Sequence, residues 1–481
     1  MSGAALLAAA PPAGLPCLVF VALTPLLLAV RRAGVAWWYA AALGWLTGAI
    51  FYAGLVPWLV PTVARLQSVS TAASLGVFAV FVAYHAGQFG LAALAMRAAA
   101  RSGGGVPRAA IRVAAVWVLL EWMFPQVLPW SLGAGLGPHR LLRQAADLIG
   151  VHGLAAVIVV INGLLIGRGG ARGAALLLVV LLCGYGYARP AAQDAHDRRL
   201  RVGIAQAGSI DPGGDPDLTT AANWTIYKEC SRRLSRRVDV LLWPESVVRA
   251  DLTAGGGYRH AVEELAAALR RPLLLGGLGQ GGAGGETNAV YAFAPVLRAT
   301  YTKRALLPFG EYAPGAEWLG VLRAWRTTGR FIPGAAAGPL PLASGAVAVA
   351  ICFEAMRADA FLAQVRAGAE WLLNPSNDGW FDSPRAAAQH LEMTRLRAVE
   401  VRRWLVRVSH SGVSAVFDPD GDIVAALPYA AAGELVARIG VRHQLTPYAR
   451  SGDGPLQLMA TGVLLAWAGN HIGRRFRRPM R

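Results

Sequence analysis

Charge is scarce in this 481-residue chain: only 15% of residues are Asp, Glu, Lys or Arg, while 55% are hydrophobic. That balance, with a positive mean hydropathy, is too apolar for an ordinary soluble protein. Cysteine is scarce as well. Cys17, Cys183, Cys230 and Cys352 show neither the paired spacing of a disulfide framework nor a metal-ligand pattern, so no metal is expected. The formal charge of +18 comes without zinc-finger spacing, an RNP-like motif or a basic helix with interleaved aromatics, and nucleic acid is therefore not an expected partner. The glycine-rich stretch 276–285 is followed by no Walker lysine and has no GxGxxG context, which leaves it a flexible loop. No basic n-region opens the chain, so no secretory signal is expected.

What is abundant is apolar sequence, and it is unevenly spread. It crowds into residues 1–190 and returns near 455–472, around a middle with the composition of a globular domain. Spans long enough to cross a hydrocarbon core are expected at 15–30, 34–56, 71–96, 109–127, 146–167, 173–190 and 455–472. Arginines decide their orientation. Arg31, Arg32, Arg97, Arg101, Arg108, Arg112, Arg168, Arg172, Arg474, Arg475, Arg477, Arg478 and Arg481 fall on one side if the spans alternate; the opposite short loops hold only Arg65, Arg140 and Arg143. The arginine-rich side reads as cytoplasmic and the soluble middle as extracytoplasmic. Few charges, chiefly Glu121 and Asp147, lie inside the spans, which argues against an ion pathway. The outer loop Pro125–Gly135 is apolar and too short to span. It reads as a re-entrant or interfacial loop anchored by Trp130, or as the floor of a lipid cleft.

Between the polar linker 191–200 and about residue 442, short apolar runs alternate with amphipathic stretches, the pattern of an α/β sandwich. Three runs end in chemically useful residues. Val238–Trp243 leads to Glu245, a strand through Tyr301 leads to Lys303, and Val347–Ile351 delivers Cys352, with Glu311 and Glu354 close behind the second and third. A base, a cation and a thiol at strand ends can meet in one site. Taken alone, Cys352 could equally be a small core residue, and Glu245 with Lys303 a plain buried ion pair.

Trp243-Pro-Glu245, Lys303 with Pro308-Phe-Gly-Glu311, and Cys352-Phe-Glu354 resemble the catalytic segments of the nitrilase (carbon–nitrogen hydrolase) superfamily, and within it the membrane-bound apolipoprotein N-acyltransferase family. Asn374-Pro-Ser-Asn-Asp-Gly-Trp-Phe381, Gln389-His390, Arg395–Glu400 and Thr446–Arg450 resemble that family's later blocks. The resemblance implies a polytopic α-helical membrane domain (1–192), an α/β catalytic domain of the four-layer αββα nitrilase-like kind (193–450), and a last transmembrane helix with a basic tail (451–481). It implies ping-pong acyl transfer without cofactor. Cys352 takes an acyl chain from a membrane phospholipid and passes it to the α-amine of a diacylglyceryl-apolipoprotein. Glu245 would be the base and Lys303 the oxyanion partner. Glu311 would orient Lys303 or the amine, and Glu354 would shape the oxyanion surroundings or gate access. Trp243, Phe353, Asn377, Trp380 and Trp130 are candidate substrate-binding residues. The expected setting is the bacterial inner membrane, multi-pass, as a monomer, with the catalytic domain periplasmic. The family has eight spans, so residues 1–13 read as the remnant of a truncated first helix or as a late-assigned start.

Three departures bear on substrate preference. Phe353 stands where the family has tyrosine, Ala305 where it has histidine, and no tryptophan occurs among residues 208–217. Two alternatives remain open on the sequence: a membrane-tethered amidase or nitrilase hydrolysing a small C–N bond, and a non-catalytic membrane transport or assembly protein.

Overall fold

A computed structural model describes residues 1–11, 13–189, 198–208, 216–281, 284–316, 318, 320, 325, 331–335 and 338–476, the side chains of 216–219 and 471–476 excepted. Most of the expected linker, the absent-tryptophan segment and the last arginines lie outside the described residues. The chain divides into two units, Met1–Ala64 with Ser68–Pro190 and Ser451–Arg481, and Arg65–Gln67 with Ala191–Arg450.

The first unit is helical. Thr71–Arg101, Ala146–Leu165 and Gly170–Ala188 are long and apolar enough to cross a membrane; Trp37–Leu55 and Leu59–Gln67, bent by 67°, qualify together as a fourth span. The segments expected at 109–127 and 455–472 are the helices Gly105–Met123 and Gly454–Phe476. The expected span 15–30 is corrected. It breaks into a 3₁₀ turn, Pro16–Phe20, and a short helix, Thr24–Val30, each opened by a proline in its first turn. Buried backbone at such a break needs partners, and Asn162 supplies them. Its Oδ1 accepts from the Leu23 and Thr24 N–H groups at 2.8 and 3.1 Å, and its amide donates to the Val19 carbonyl at 2.9 Å. Ser2–Ala9 forms a separate eight-residue helix, whose Ser2 hydroxyl accepts from the Leu26 N–H.

The loop around Trp130 is pinned in the same way. Glu121 accepts from Trp117 Nε1, Ser131 Oγ and the Leu132 N–H at 2.7–2.8 Å. Gln126 accepts from the Trp130 N–H at 2.7 Å, and the Val127 N–H meets His85 Nε2 at 3.2 Å. Glu121 is thus engaged as a loop clamp.

The second unit stacks two sheets. The first runs β11–β1–β2–β3–β4–β5, with β1 Arg199–Gln206, β2 Val240–Leu242, β3 Leu273–Gln280, β4 Glu286–Phe293, β5 Leu297–Thr302 and β11 Gly433–Gly440. The second runs β10–β9–β8–β7–β6, with β6 Val347–Val349, β7 Trp371–Ser376, β8 Leu405–Ser409, β9 Ser414–Phe417 and β10 Ile423–Leu427. In both, three neighbouring strands are parallel (β1, β2, β3 and β6, β7, β8) and an antiparallel neighbour follows.

Alternation explains the layering. Along β6, Val347, Val349 and Ile351 face the core between the sheets with Val202, Leu242 and Trp371. Ala348 and Ala350 face the other way, onto a layer that includes Leu391, Ala398 and Val401 of helix Pro384–Val401. On the far face of the first sheet, Leu241, Leu273 and Leu275 pack against Tyr227 and Leu234 of helix Pro216–Leu234 and Val262 and Leu265 of helix Gly257–Leu269. The result is the four-layer αββα sandwich.

Candidate active site

Glu245 sits three residues beyond β2, in a turn laid against β3. Gly276 permits this approach: a Cβ there would lie 2.4 Å from the Pro244 carbonyl oxygen and 2.5 Å from the Glu245 Cα. Lys303 follows β5 directly, its N–H donating to the Asn288 carbonyl on β4 at 2.8 Å. Asn288 also donates its side-chain amide to Glu245 Oε1 at 2.6 Å, so one β4 residue registers both strand ends. Cys352 ends the run after β6 with φ +52°, a left-handed conformation that a non-glycine residue adopts only when its surroundings impose it.

The three side chains meet, buried, at one pocket. Lys303 Nζ lies 2.8 Å from Glu311 Oε1 and 3.6 Å from Glu245 Oε1. Glu311 Oε2 accepts from the Leu307 N–H at 2.7 Å, which ties the 307–311 turn to the lysine. Glu245 Oε2 has no well-formed hydrogen bond among the described residues.

Burial sets the protonation states. It raises the Glu245 carboxyl above its ordinary value, and Lys303 opposes the rise. It pushes the Cys352 thiol up to about 12; the Glu245 charge adds to the rise and Lys303 opposes it. For Lys303, burial is the largest single influence and acts downward, but the charges of Glu311 and Glu245 outweigh it and hold the ammonium above the usual lysine range. The resting site is therefore a neutral thiol beside a carboxyl of elevated pKa and a firmly charged lysine. Such a thiol needs a base at the moment of attack.

Glu354 is buried, with no free oxygen to offer a substrate. It accepts from the Ile351, Arg304 and Ala305 N–H groups at 2.7–2.9 Å and from Tyr301 Oη at 3.2 Å. It is a strut between the nucleophile turn and the lysine strand, and not a solvated turn residue. Of the candidate substrate-binding residues, Phe353, Asn377 and Trp380 line the pocket together with Leu278, Leu307, Phe331 and Phe381. Trp243 does not. Its ring packs on Trp224 and Tyr227 and its Nε1 donates to Ser231 Oγ at 2.8 Å, within the helix-facing core. Trp130 belongs to the helical unit, its ring 5.9 Å from Phe51.

Sequence reading missed the layer behind the nucleophile. The Cys352 carbonyl accepts from Asn374 Nδ2 at 3.2 Å and from His390 Nε2 at 3.1 Å. His390 and Asp378 both pack on Arg407, whose Nη2 reaches Asp378 Oδ2 at 2.6 Å and His390 Nδ1 at 3.2 Å. All four side chains are buried. Burial favours neutral Asp378, but Arg407 and His390 overcome it and hold the carboxyl well below the usual range. Asn374, Asp378 and His390 stood within motif blocks already singled out. Asn288 and Arg407 carried no local signal, because each acts through a partner more than 25 residues away.

A family model described as "Apolipoprotein N-acyltransferase N-terminal domain" matches residues 2–164, and one described as "Carbon-nitrogen hydrolase" matches residues 273–447. Among solved structures, the C. elegans NitFhit protein aligns with a TM-score of 0.41 at 21% identity, covering 50% of this chain and 61% of that one. The chain is 30% identical to the apolipoprotein N-acyltransferase of Geobacter metallireducens, over 94% of its own length and 91% of the relative's. It is 31% identical to that of Gloeobacter violaceus, over 99% and 94% of the two lengths, and 31% identical to that of Caulobacter vibrioides, over 85% and 82%. With both domain signatures present in order and the likeness running nearly end to end, this chain belongs to the apolipoprotein N-acyltransferase family.

Proposed function

We propose that the protein is a membrane acyltransferase that N-acylates the α-amine of S-diacylglyceryl-cysteine at lipoprotein N-termini, with a membrane phospholipid as donor. The observation that carries this reading is the meeting of Glu245, Lys303, Glu311 and Cys352 at one pocket, in a chain that also carries a set of apolar helices. In the first half-reaction Glu245 takes the thiol proton as Cys352 Sγ bonds to the ester carbonyl carbon. Lys303 faces the oxyanion, and collapse expels the lysophospholipid, which receives the proton from Glu245. In the second, the neutral amine attacks the thioester, Glu245 takes its proton, and the departing thiolate is reprotonated. Both steps pass a tetrahedral anion, so one fixed cation serves both. Glu311 keeps Lys303 charged and aimed. Glu354 fixes the spacing between lysine strand and nucleophile.

The elevated thiol pKa fits this cycle. A thiolate kept permanently beside Glu245 would add like charge in a buried site, whereas transfer of the proton to Glu245 during attack keeps the net charge constant. The arginine distribution supports an extracytoplasmic catalytic domain, where exported lipoproteins would be met, and the inner membrane as the setting. A tethered amidase would share Glu, Lys and Cys but use water as acceptor.

The test is to incubate the purified protein with phospholipid alone and read the intact mass. One acyl chain on Cys352, discharged by a diacylglyceryl-peptide to give an N-acylated product, is the expected result. An adduct on Cys230 or a serine, or hydrolysis in place of amide formation, would overturn the reading.

A further inference from the structure

The pocket is lopsided in polarity. Leu278, Leu307, Phe331 and Phe353 give it apolar wall, while Arg249 lines it from the side of the Glu245 turn. Lys303, its other fixed cation among the described residues, is taken by two carboxylates. His410 also lines it, but burial lowers its pKa to about 4 and its Nδ1 is held by Tyr227 Oη at 2.6 Å, so it stays neutral. The Arg249 guanidinium has neither a carboxylate nor a carbonyl partner among the described residues; only its backbone N–H is engaged, weakly, with Thr220 Oγ1 at 3.4 Å.

The backbone places it deliberately. Ser246 holds a left-handed φ of +56° directly after Glu245. Val247 and Val248 then bury themselves completely in the helix-facing core, while Glu245, Ser246 and Arg249 line the pocket. Three residues separate the base from the arginine, four steps of chain that reach at most about 14 Å even if fully extended. A long arginine side chain covers much of that range.

We propose that Arg249 binds the phosphodiester of the acyl donor, making the pocket a site for an anionic headgroup as well as for an acyl ester. An arginine with no carboxylate partner among the described residues, beside an apolar wall, favours a bidentate oxyanion over any neutral group. In a phospholipid the ester and the phosphodiester are separated only by the glycerol backbone. A carbonyl at Cys352 therefore puts the phosphate near the polar end and the chain along the apolar wall. The inference rests on the acyltransferase reading and adds which half of the reaction the arginine serves.

The experiment compares wild type, Arg249→Gln and Arg249→Lys in mixed micelles of phosphatidylglycerol or phosphatidylethanolamine. Acyl-enzyme formation is followed against donor mole fraction, and transfer from preformed acyl-enzyme to a diacylglyceryl-peptide is followed separately. Gln should raise the apparent donor KM by ~10-fold or more, the loss of a charge-assisted hydrogen bond. Lys, keeping the charge, should recover most of it, and the ratio of acylation to transfer rate should fall for Gln. Equal damage by Gln and Lys, no change in either, or a loss confined to the transfer step would overturn the assignment. Failure of wild type to form any acyl-enzyme would instead sink the function reading beneath it.

Discussion

His390 Nε2 lies 3.1 Å from the carbonyl oxygen of Cys352. A carbonyl can only accept, so this nitrogen carries a proton, while Nδ1 lies between Asp378 Oδ1 at 3.0 Å and Arg407 Nη2 at 3.2 Å. Burial, reinforced by the Arg407 charge, depresses the His390 pKa, and the Asp378 carboxylate opposes the fall. The nucleophile's left-handed backbone is thus held from behind by a ring N–H donor oriented by an Arg–Asp pair.

His390→Ala removes that donor. Acyl-enzyme formation should slow by ~10-fold or more, and unfolding free energy should fall by about 1–3 kcal/mol, the usual range for stranding a buried acceptor. His390→Gln, whose amide can donate toward the same oxygen, should retain more activity than Ala at comparable stability. Single-turnover rates and denaturant melts on both variants check this; equal rates in the two would show the ring merely fills space.

Lys303→Met deletes the cation and leaves Glu245 and Glu311 facing each other. Thioester formation should drop by ~100-fold or more, and stability should fall as well, because a buried ion pair has lost one partner. Adding Glu311→Gln should restore much of the stability and none of the rate. If the double variant regains activity, the lysine is structural and the proposed mechanism fails.

The pH profile follows from Glu245. As a base it works ionised, and its pKa is raised by burial, so acylation should fall with decreasing pH at a higher value than an ordinary carboxylate near ~4.3 would give. The stability sign is opposite. A group whose folded pKa is raised binds its proton more tightly when folded, so its contribution is full below the unfolded pKa and is lost as pH rises through the folded one. Glu245→Gln should flatten that portion of the stability curve. Melts across the acidic range, beside single-turnover rates, test both directions at once.

Reporter or thiol-accessibility scans should find residues near 215 and 420 outside the cytoplasm and the tail near 478 inside it. A cytoplasmic residue 420 would contradict the arginine count and deny the site its exported substrate.

Much of this was legible locally. The alternation of Val347, Ala348, Val349, Ala350 and Ile351 reports a strand with one face between sheets and one on helices, because side chains alternate across a strand whatever lies beyond it. Crowded apolar runs mark the helices, for the bilayer tests length and composition alone. The order Glu245, Lys303, Cys352, each after an apolar run, announces strand-end chemistry.

Direction and partnership needed the tertiary structure. Trp243, next to a candidate base, turns into the core because its place in the β2 alternation and its indole N–H lead to Tyr227 and Ser231. The break within 15–30 is held by Asn162, more than a hundred residues on. Glu354, legible only as an acid in a turn, became a strut once β5 was laid beside the nucleophile turn. Asn288, His390 and Arg407 likewise act across the fold. By itself the sequence determined which residues face a core and which end a strand, since those follow from local periodicity. Only the packed structure decided which buried polar group answers which, because in a low-dielectric interior each donor must find its acceptor wherever the fold brings one within about 3 Å.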